Sequence, residues 1–448
     1  MIRSTLALVA ATCLAASPLR AEPPAPANTT TVSAGLLDSI PITQPAASPP
    51  KAMVVYLSDR SGWQPTDDAI VSALKASGAV VLSVNFATYA EKLDKDDGDC
   101  ADVVGDIVDA AQNAQRQLGI QTYLPPIVVG SGEAATLAYA ALSTAPANTL
   151  GGVVGAGFTN RLSLKKAVCE ATTPVKTADG KAFSYGFDDK LPGTATLLVG
   201  KELFKAIDKA SDPSGDKVSV EELEVESIPS QIAHEVADLA SVARPFGDLP
   251  AVDIPANTAP RALCILISGD GGWRDLDKTI GEWLATQGVH VVGLDALHYF
   301  WAKKTPEALA KDIAFLADAA DANDNLPLML VGYSFGADTI PFAYPLLPKA
   351  LQDRTRVLGL LAPGPSTSFQ ITIGGWLGIN DTGYDVTPAI AKLPPERVVC
   401  VYGTEDNDSA CADRSVSKAT IVKTSGGHHF DGNYIGIAKR FLERVGPQ

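Results

Sequence analysis

The two halves of the chain have similar sequence patterns, and this duplication constrains the fold more than any other feature. The stretch "MVVYLSDRSGWQPTDDAIVSALKASGAVVLSVNF" begins at Met53, and "CILISGDGGWRDLDKTIGEWLATQGVHVVGLDAL" begins at Cys264. In both, an apolar strand pattern leads into a polar loop with Gly-Trp, then an amphipathic helix pattern, a glycine and a second apolar strand. Further matches follow in the same order, among them "IVVGSGEAATLAYAAL" and "LMLVGYSFGADTIPFAYPLL". Matches that keep their order predict a duplicated domain.

The pattern inside each copy predicts the α/β class. Apolar strand patterns alternate with helical ones, which is typical of a parallel sheet covered by helices on both faces. We predict one such domain over residues 51–243 and a second over 260–448. The proline-rich stretch between them, 244–262, interrupts the pattern and is expected to be the boundary. A length of 448 residues suits two domains of about 200 residues each.

The N-terminus has the features of an export signal. A basic start is followed by the short apolar run Leu6–Ala16 and by small residues, so residues 1–21 are expected to be a signal peptide. Cleavage is expected after Ser17 or Ala21. Residues 22–50 are rich in Pro, Ala and Thr and are expected to form a mobile leader.

Charge and cysteine usage narrow the function classes. The net charge of −15 argues against nucleic acid as a partner. No cysteine or histidine spacing indicates zinc, and we expect neither a metal nor a cofactor. An exported protein can form disulfides, and the favoured pair is Cys400–Cys411, with Cys100–Cys169 second. Cys264 lies in an apolar strand pattern and is expected to be a buried thiol.

A candidate nucleophile lies in the second copy. The strand pattern Leu328–Val331 ends in Gly332-Tyr333-Ser334-Phe335-Gly336, and a helical pattern follows. A serine hydroxyl needs a base to take its proton and backbone amides to hold the developing oxyanion. A strand that turns sharply into a helix at G-x-S-x-G supplies both conditions. We therefore predict that Ser334 is the nucleophile.

The expected partners follow in the order acid, then histidine. Asp406 comes after the strand pattern "RVVCVYG" and is the first choice of acid, with Glu405 and Asp408 in reserve. Near the end, "TSGGHHFDGNY" carries two adjacent histidines. We choose His429 as the base, with His428 close behind.

The oxyanion hole is expected to have two backbone donors. The first is the amide of Phe335, directly after the nucleophile. The second is expected in the glycine-rich loop "ISGDGGW", at Asp270 or Gly271. A tight turn that caps the next helix is an alternative role for this loop, and both roles are compatible.

The first copy lacks this chemistry. When Gly130 is aligned with Gly332, Gly132 stands where the second copy has its serine. Leu203 falls at the position of the acid, and the only histidine of this copy, His234, lies outside any comparable turn. The first domain is therefore predicted to be a catalytically degenerate hydrolase fold.

The motifs "SGDGGW", "VGYSFGAD" and "GGHHFDG" resemble those of the VirJ/AcvB bacterial virulence family of the α/β-hydrolase superfamily. The resemblance is strongest over 260–448, which corresponds to VirJ, and the two-copy length is similar to that of AcvB-like members. It implies two tandem α/β-hydrolase-like domains in the periplasm. It also implies a nucleophile at Ser334, an acid at Asp406 and a histidine within His428–His429.

The resemblance further implies a substrate. AcvB-like members are implicated in hydrolysing aminoacyl-phosphatidylglycerol, chiefly the lysyl form, at the outer face of the inner membrane. The residues expected to bind this substrate are Asp270, Trp273, Asp338 and Trp376. Trp376 lies in an apolar insertion, 366–385, expected to form a lid, a membrane contact or a plain helical cap.

Two other functions stay open. VirJ is implicated in type IV secretion, so a non-catalytic periplasmic adaptor that binds secretion-system proteins is the main alternative. A hydrolase of a different ester or of a peptide is the third.

Overall fold

The computed structural model describes residues 30–146, 148–171, 174–187, 191–210, 217–241, 246–247, 249–323, 325–372 and 383–446. The expected signal peptide lies outside these ranges. Within them, no helix combines the length and the apolar character that a membrane crossing requires.

The first half of the chain is built on one sheet of eight strands, in the order β1-β2-β4-β3-β5-β6-β10-β11. Its strands are β1 (Thr31–Ala34), β2 (Leu37–Thr43), β3 (Ala52–Leu57), β4 (Ala79–Val84), β5 (Pro126–Ser131), β6 (Gly152–Ala156), β10 (Ala195–Val199) and β11 (Val218–Glu222). A small sheet joins β7 (Arg161–Leu162), β9 (Phe183–Tyr185) and β8 (Pro174–Lys176). The helices are α1 (Pro65–Ala76), α2 (Phe86–Lys95), α3 (Val103–Gln117), α4 (Glu133–Thr144), α5 (Lys201–Ala210) and α6 (Ile228–Ser241).

The second half has a sheet of seven strands, in the order β12-β14-β13-β15-β16-β19-β20. They are β12 (Ala251–Ile254), β13 (Ala262–Ile267), β14 (Val289–Leu294), β15 (Leu328–Tyr333), β16 (Thr355–Leu361), β19 (Val398–Gly403) and β20 (Thr420–Thr424). The short strands β17 (Ser366–Thr367) and β18 (Tyr384–Asp385) pair with each other. The helices are α7 (Asp275–Thr286), α8 (Ala296–Tyr299), α9 (Pro306–Ala320), α10 (Phe335–Ala343), α11 (Lys349–Arg354), α12 (Val386–Ile390) and α13 (Tyr434–Leu442).

The two sheets have the same topology from β2 and β12 onward. In each, this antiparallel strand is followed by six strands that pair in parallel. Both faces are covered, because alternate residues of β13 enter two different apolar clusters: Leu263, Ile265 and Ile267 enter one, and Ala262, Cys264 and Leu266 the other. The predicted α/β class, with two sheets of the same topology, is therefore confirmed.

The edge strands correct the sequence analysis. The expected mobile leader, 22–50, contains β1 and β2, and β2 pairs with β4 through Ile42 and Thr43. The expected boundary, 244–262, contains β12, whose Ile254 lies opposite Val291 of β14. β12 is the edge strand of its sheet, and β2 lies second from the edge, between β1 and β4. The backbone groups of both strands are therefore engaged, even though their side-chain patterns are only partly apolar.

Both predicted disulfides are present. Cys400 in β19 is bonded to Cys411, and Cys100 is bonded to Cys169. Cys264 is a free thiol buried in β13, and burial raises its pKa. The Cys400–Cys411 bond closes a loop that carries Asp406, the expected acid.

We predict that Cys400→Ala/Cys411→Ala lowers the free energy of unfolding by about 3 kcal/mol, because the crosslink restricts the unfolded chain over a loop of this length. Urea denaturation of oxidised protein measures the difference. Cys264→Ala, which removes a buried thiol but no crosslink, is the comparison. An unchanged unfolding midpoint in the double variant would contradict the prediction.

Candidate active site

Ser334 lies at a sharp turn between β15 and α10. Its backbone has φ 51° and ψ −120°, a left-handed conformation that is strained for a residue with a side chain. Its amide donates to the Leu361 carbonyl oxygen at 2.8 Å, and its carbonyl accepts from the Asp338 amide at 3.1 Å. The turn brings α10 so close to β13 that a methyl group on Gly336 would lie 2.3 Å from the Ile267 carbonyl oxygen. A glycine is therefore required there.

The structure brings Ser334, His428 and Asp406 together. The Nε2 atom of His428 lies 2.8 Å from the Ser334 hydroxyl oxygen. Its Nδ1 atom lies 3.1 Å from Oδ2 of Asp406, whose side chain is 10% exposed. When Nδ1–H donates to the carboxylate, Nε2 is left unprotonated and can accept the hydroxyl proton. This geometry is that of a general base between a nucleophile and an orienting acid.

The first choice of base, His429, was wrong. The Nδ1 atom of His429 lies 2.6 Å from the Tyr333 hydroxyl oxygen. The planes of the two imidazole rings are 83° apart, and the ring that contacts Ser334 is that of His428. Phe430, which directly follows the two histidines, is buried and has φ 60°. Tyr333 thus holds the histidine turn from the residue directly before the nucleophile.

The acid loop and the histidine turn are also tied to each other. The Glu405 amide donates to the Gly426 carbonyl oxygen, and the Thr404 amide to that of Thr424, both at 2.9 Å. The reserve acids, Glu405 and Asp408, are exposed, and the carboxylate that contacts the base is that of Asp406.

The loop expected to supply an oxyanion donor lies against the nucleophile. A methyl group on Gly269 would lie 3.6 Å from Cβ of Ser334. In this loop Asp270 is half-buried and Gly271 is exposed. The amide of Phe335 is the first of α10, where helix geometry leaves an amide without an intrahelical acceptor. The oxyanion hole remains a prediction, with Phe335 and one of the two loop residues as donors.

The expected substrate contacts divide three ways. Trp273 is 2% exposed, and its ring packs so tightly on Gly293 that a methyl group there would lie 2.2 Å from it. The indole is thus a core side chain instead of the substrate contact expected. Asp338 is buried and accepts a 2.7 Å hydrogen bond from the Gly364 amide. Trp376 lies outside the described residues.

The buried carboxyl group of Asp338 has a displaced pKa. Burial raises this pKa well above its usual range, the hydrogen bond from the Gly364 amide lowers it, and the nearby charge of Asp270 raises it further. The carboxyl group lies one helical turn after Ser334 and fixes the loop that follows β16.

The corresponding site of the first half is closed by its own chain. Gly132 has φ 58° and ψ −124°, almost the backbone conformation of Ser334, so the turn persists without the nucleophile. A methyl group on Gly132 would lie 2.0 Å from Oδ1 of Asp59. The same oxygen accepts the Glu133 amide at 3.0 Å, and this amide is the counterpart of that of Phe335.

Sequence reasoning missed Asp59, although the aligned loops "LSDRSGW" and "ISGDGGW" contain the difference. Asp59 stands where the second half has Gly269. Burial raises its pKa, but hydrogen bonds from the Ser61 hydroxyl and from backbone amides outweigh this effect, so the net pKa is lowered. The first half therefore holds a built-in carboxylate where a substrate oxyanion would bind.

Comparisons with known proteins agree with the resemblance for the second half. Residues 261–447 match the family described as bacterial virulence protein (VirJ). No curated protein matches the chain.

Several solved structures share partial similarity. Est1E from Butyrivibrio proteoclasticus, with ferulic acid bound, has 16% identity over 44% of this chain and 96% of that chain, with a TM-score of 0.34. TT1662 from Thermus thermophilus has 15% identity over 45% and 95%, with a TM-score of 0.31. A thermostable carboxyl esterase from Bacillus coagulans, in complex with glycerol, has 11% identity over 44% and 94%, with a TM-score of 0.33. None of the three bears on the chemistry of the site.

The histidine geometry leads to a direct test. We expect His428→Ala to lower the rate of Ser334 labelling by a fluorophosphonate probe by about 10³-fold or more, because the hydroxyl loses its base. His429→Ala removes the neighbouring ring and is expected to lower it by less than about tenfold, through looser positioning of the turn. Equal losses in the two variants, or a larger loss for His429→Ala, would reject the assignment of His428.

The buried acid predicts a pH-dependent stability. Asp338→Asn keeps an acceptor for the Gly364 amide but cannot ionise. Because the folded-state pKa of Asp338 is raised, its stabilisation is present below the unfolded-state value of about 4 and is lost as pH rises towards the folded-state value. Relative to wild type, the melting temperature of Asp338→Asn should therefore rise by about 2–4 °C between pH 4 and pH 7.

Thermal unfolding at the two pH values measures this change. Asp413→Asn is the control, because hydrogen bonds from Ser415 lower the pKa of this exposed acid. Its titration therefore falls mainly below pH 4, and its difference from wild type should change little between the two pH values. A difference between Asp338→Asn and wild type that is the same at both pH values would contradict the prediction.

Proposed function

We propose that this protein is a periplasmic serine hydrolase that cleaves the aminoacyl ester of aminoacyl-phosphatidylglycerol, with the lysyl form as the favoured substrate. The observation that carries the hydrolase is the hydrogen-bonded series Ser334–His428–Asp406. The lipid, its location at the outer face of the inner membrane and the periplasm come from the resemblance to the VirJ/AcvB family, whose VirJ model matches the second half.

In the first step, the Ser334 oxygen attacks the ester carbonyl carbon while Nε2 of His428 takes the hydroxyl proton. The negative charge on the carbonyl oxygen develops next to the amide of Phe335 and the loop at Asp270 and Gly271. Asp406 stabilises the imidazolium that forms. The carbon–oxygen bond to the glycerol group then breaks, and His428 returns the proton to the leaving alcohol.

In the second step, water replaces the lipid. His428 takes a proton from the water as its oxygen attacks the acyl–Ser334 ester. Collapse of the second tetrahedral intermediate returns that proton to the serine oxygen and releases the free amino acid. The aminoacyl ester suits this route, because its ammonium group makes the carbonyl carbon more electrophilic.

The charge of the substrate fits that of the protein. A lysyl headgroup is cationic, and the chain carries a net charge of −15, which favours encounter with cations. Asp270 lies in the expected oxyanion loop and is half-buried. It is therefore our first candidate for contact with the lysyl ammonium groups.

One observation favours a second function. The first half keeps the sharp turn at Gly132, but the Asp59 carboxylate fills the space of a side chain at this position and accepts the Glu133 amide. A half of the chain that cannot bind an oxyanion is compatible with an adaptor that binds secretion-system proteins. Under this alternative, the chemistry of Ser334 would be dispensable in the cell.

The proposed function predicts release of free lysine from vesicles that contain lysyl-phosphatidylglycerol. Purified full-length protein should release lysine, and Ser334→Ala should lower the rate by at least about 10³-fold, because the covalent step is lost. Ser131→Ala is the matched control, since Ser131 ends the equivalent strand of the first half and its hydroxyl is hydrogen-bonded to Tyr56 of the same half. This control should retain the wild-type rate within about twofold, as is usual for residues away from a site.

The outcomes separate the alternatives. Undiminished release by Ser334→Ala would remove Ser334 from the mechanism. Hydrolysis of neutral esters without release of lysine would keep a serine hydrolase and remove the lipid. Full complementation of a deletion strain by Ser334→Ala would favour the adaptor.

A further inference from the structure

A single arginine of the first half is hydrogen-bonded to two segments of the second half. Arg116 lies near the end of α3, and its Nη1 atom donates to the Trp301 carbonyl oxygen at 2.9 Å. Its Nη2 atom donates to the Ile371 carbonyl oxygen at 2.6 Å. The guanidinium carbon lies 3.4 Å from the centre of the Trp301 ring. Two stretches far apart in sequence are therefore fixed by one side chain.

The chemistry of this contact requires a guanidinium. Its planar fork presents several N–H donors in fixed directions, so it can satisfy two carbonyl groups while its face stacks on an indole. Arg116 is half-buried, and burial lowers its pKa. The groups that replace water around the guanidinium here are neutral. Burying a charged group among neutral ones costs free energy unless its N–H donors form hydrogen bonds. A lysine ammonium could not stack and bond in this way.

Further contacts between the two halves surround Arg116. Trp301 is 3% exposed, and its Nε1 atom donates back to the Ile120 carbonyl oxygen at 3.0 Å. Beside it, the ring of Tyr123 from the first half is stacked on His298 from the second, with ring centres 4.3 Å apart. The two halves therefore meet through matched, specific contacts around Arg116.

The two segments bonded by Arg116 are connected to the residue after the nucleophile through aromatic contacts. The Ile371 amide donates to the Phe300 carbonyl oxygen at 3.0 Å, so the two segments are also bonded to each other. The Phe300 ring lies 5.0 Å from that of Phe335 and 6.0 Å from that of Phe369. Phe335 directly follows Ser334, and its amide is the expected oxyanion donor. Phe300 therefore links the segments bonded by Arg116 to Phe335.

We propose that Arg116 is a positioning residue of the active site in the second half, and that the first half serves catalysis by holding the aromatic wall of Phe300, Phe335 and Phe369 in place. This inference rests on the proposed function, since it assigns a task in ester hydrolysis to a half without chemistry. Displacement of reacting groups by as little as about 1 Å can lower a rate by about 10²-fold, so contacts far from the nucleophile can affect catalysis.

The test compares Arg116→Ala and Arg116→Lys in the full-length protein. We expect Arg116→Ala to lower kcat/KM for lysyl-phosphatidylglycerol by about 10- to 100-fold, mainly through kcat, because the oxyanion donor shifts relative to Ser334. Arg116→Lys should show an intermediate loss. Free guanidinium at a low, non-denaturing concentration should restore part of the rate of Arg116→Ala but not that of Arg116→Lys.

The matched control is Arg60→Ala. Arg60 is also a half-buried arginine of the first half, over the ring of Phe86 and paired with Asp94, but both partners belong to that half. Its loss should change the melting temperature without changing kcat or KM. If Arg116→Ala fails to fold, Arg116→Lys carries the comparison.

The outcomes distinguish this inference from the proposed function. Wild-type kcat and KM in folded Arg116→Ala would overturn the inference alone. So would a loss in Arg60→Ala as large as that in Arg116→Ala, or no rescue by guanidinium, because the effect would then be one of stability. Wild-type protein that hydrolyses no ester and is not labelled by a fluorophosphonate would overturn the proposed function, and this inference with it.

Discussion

The chemistry of the second half depends on one backbone position, the left-handed turn at Ser334. A residue with a side chain in such a conformation costs about 1–3 kcal/mol, which the surroundings must offset. Here the Leu361 carbonyl group, the Asp338 amide and the contact of Gly336 with β13 fix the turn. The first half makes the same turn with Gly132, which carries no such strain. The turn thus follows from the packing of the sheet and helix and occurs in both halves. The backbone strain arises only in the second half, where the turn carries the serine side chain that the chemistry needs.

Much of the site could be predicted because a parallel sheet gathers the carboxyl ends of its strands at one edge. Ser334, Asp406 and the histidine pair each follow a strand pattern, so their meeting required only the correct strand order. The choice between His428 and His429 was beyond the sequence. It depends on the ring directions of adjacent residues in an irregular turn, which the hydroxyl group of Tyr333 decides.

The errors in the fold share one physical cause. A strand at the edge of a sheet, or next to the edge, has a half-exposed surface, so it needs no continuous apolar run. β2 contains Pro41, and β12 places Asp253 on the exposed side, so both looked like linkers. Trp273 misled in the opposite way, because a tryptophan in a glycine-rich loop indicated a site while its ring filled the core. In each case the three-dimensional neighbours, not the local pattern, determined the role.

The two disulfides connect these observations to the compartment. Cys400–Cys411 crosslinks β19 to the far side of the loop that carries Asp406. Cys100–Cys169 lies just before α3, the helix whose other end carries Arg116. Each bond therefore fixes an element on which the geometry at Ser334 depends, one in each half. Such crosslinks persist in an oxidising compartment, as the expected export signal requires. In a reducing compartment both bonds would be lost, and with them the restraint on the acid loop and the restraint at the start of α3. Export, if it occurs as the sequence predicts, would therefore support the catalytic geometry through these four cysteines.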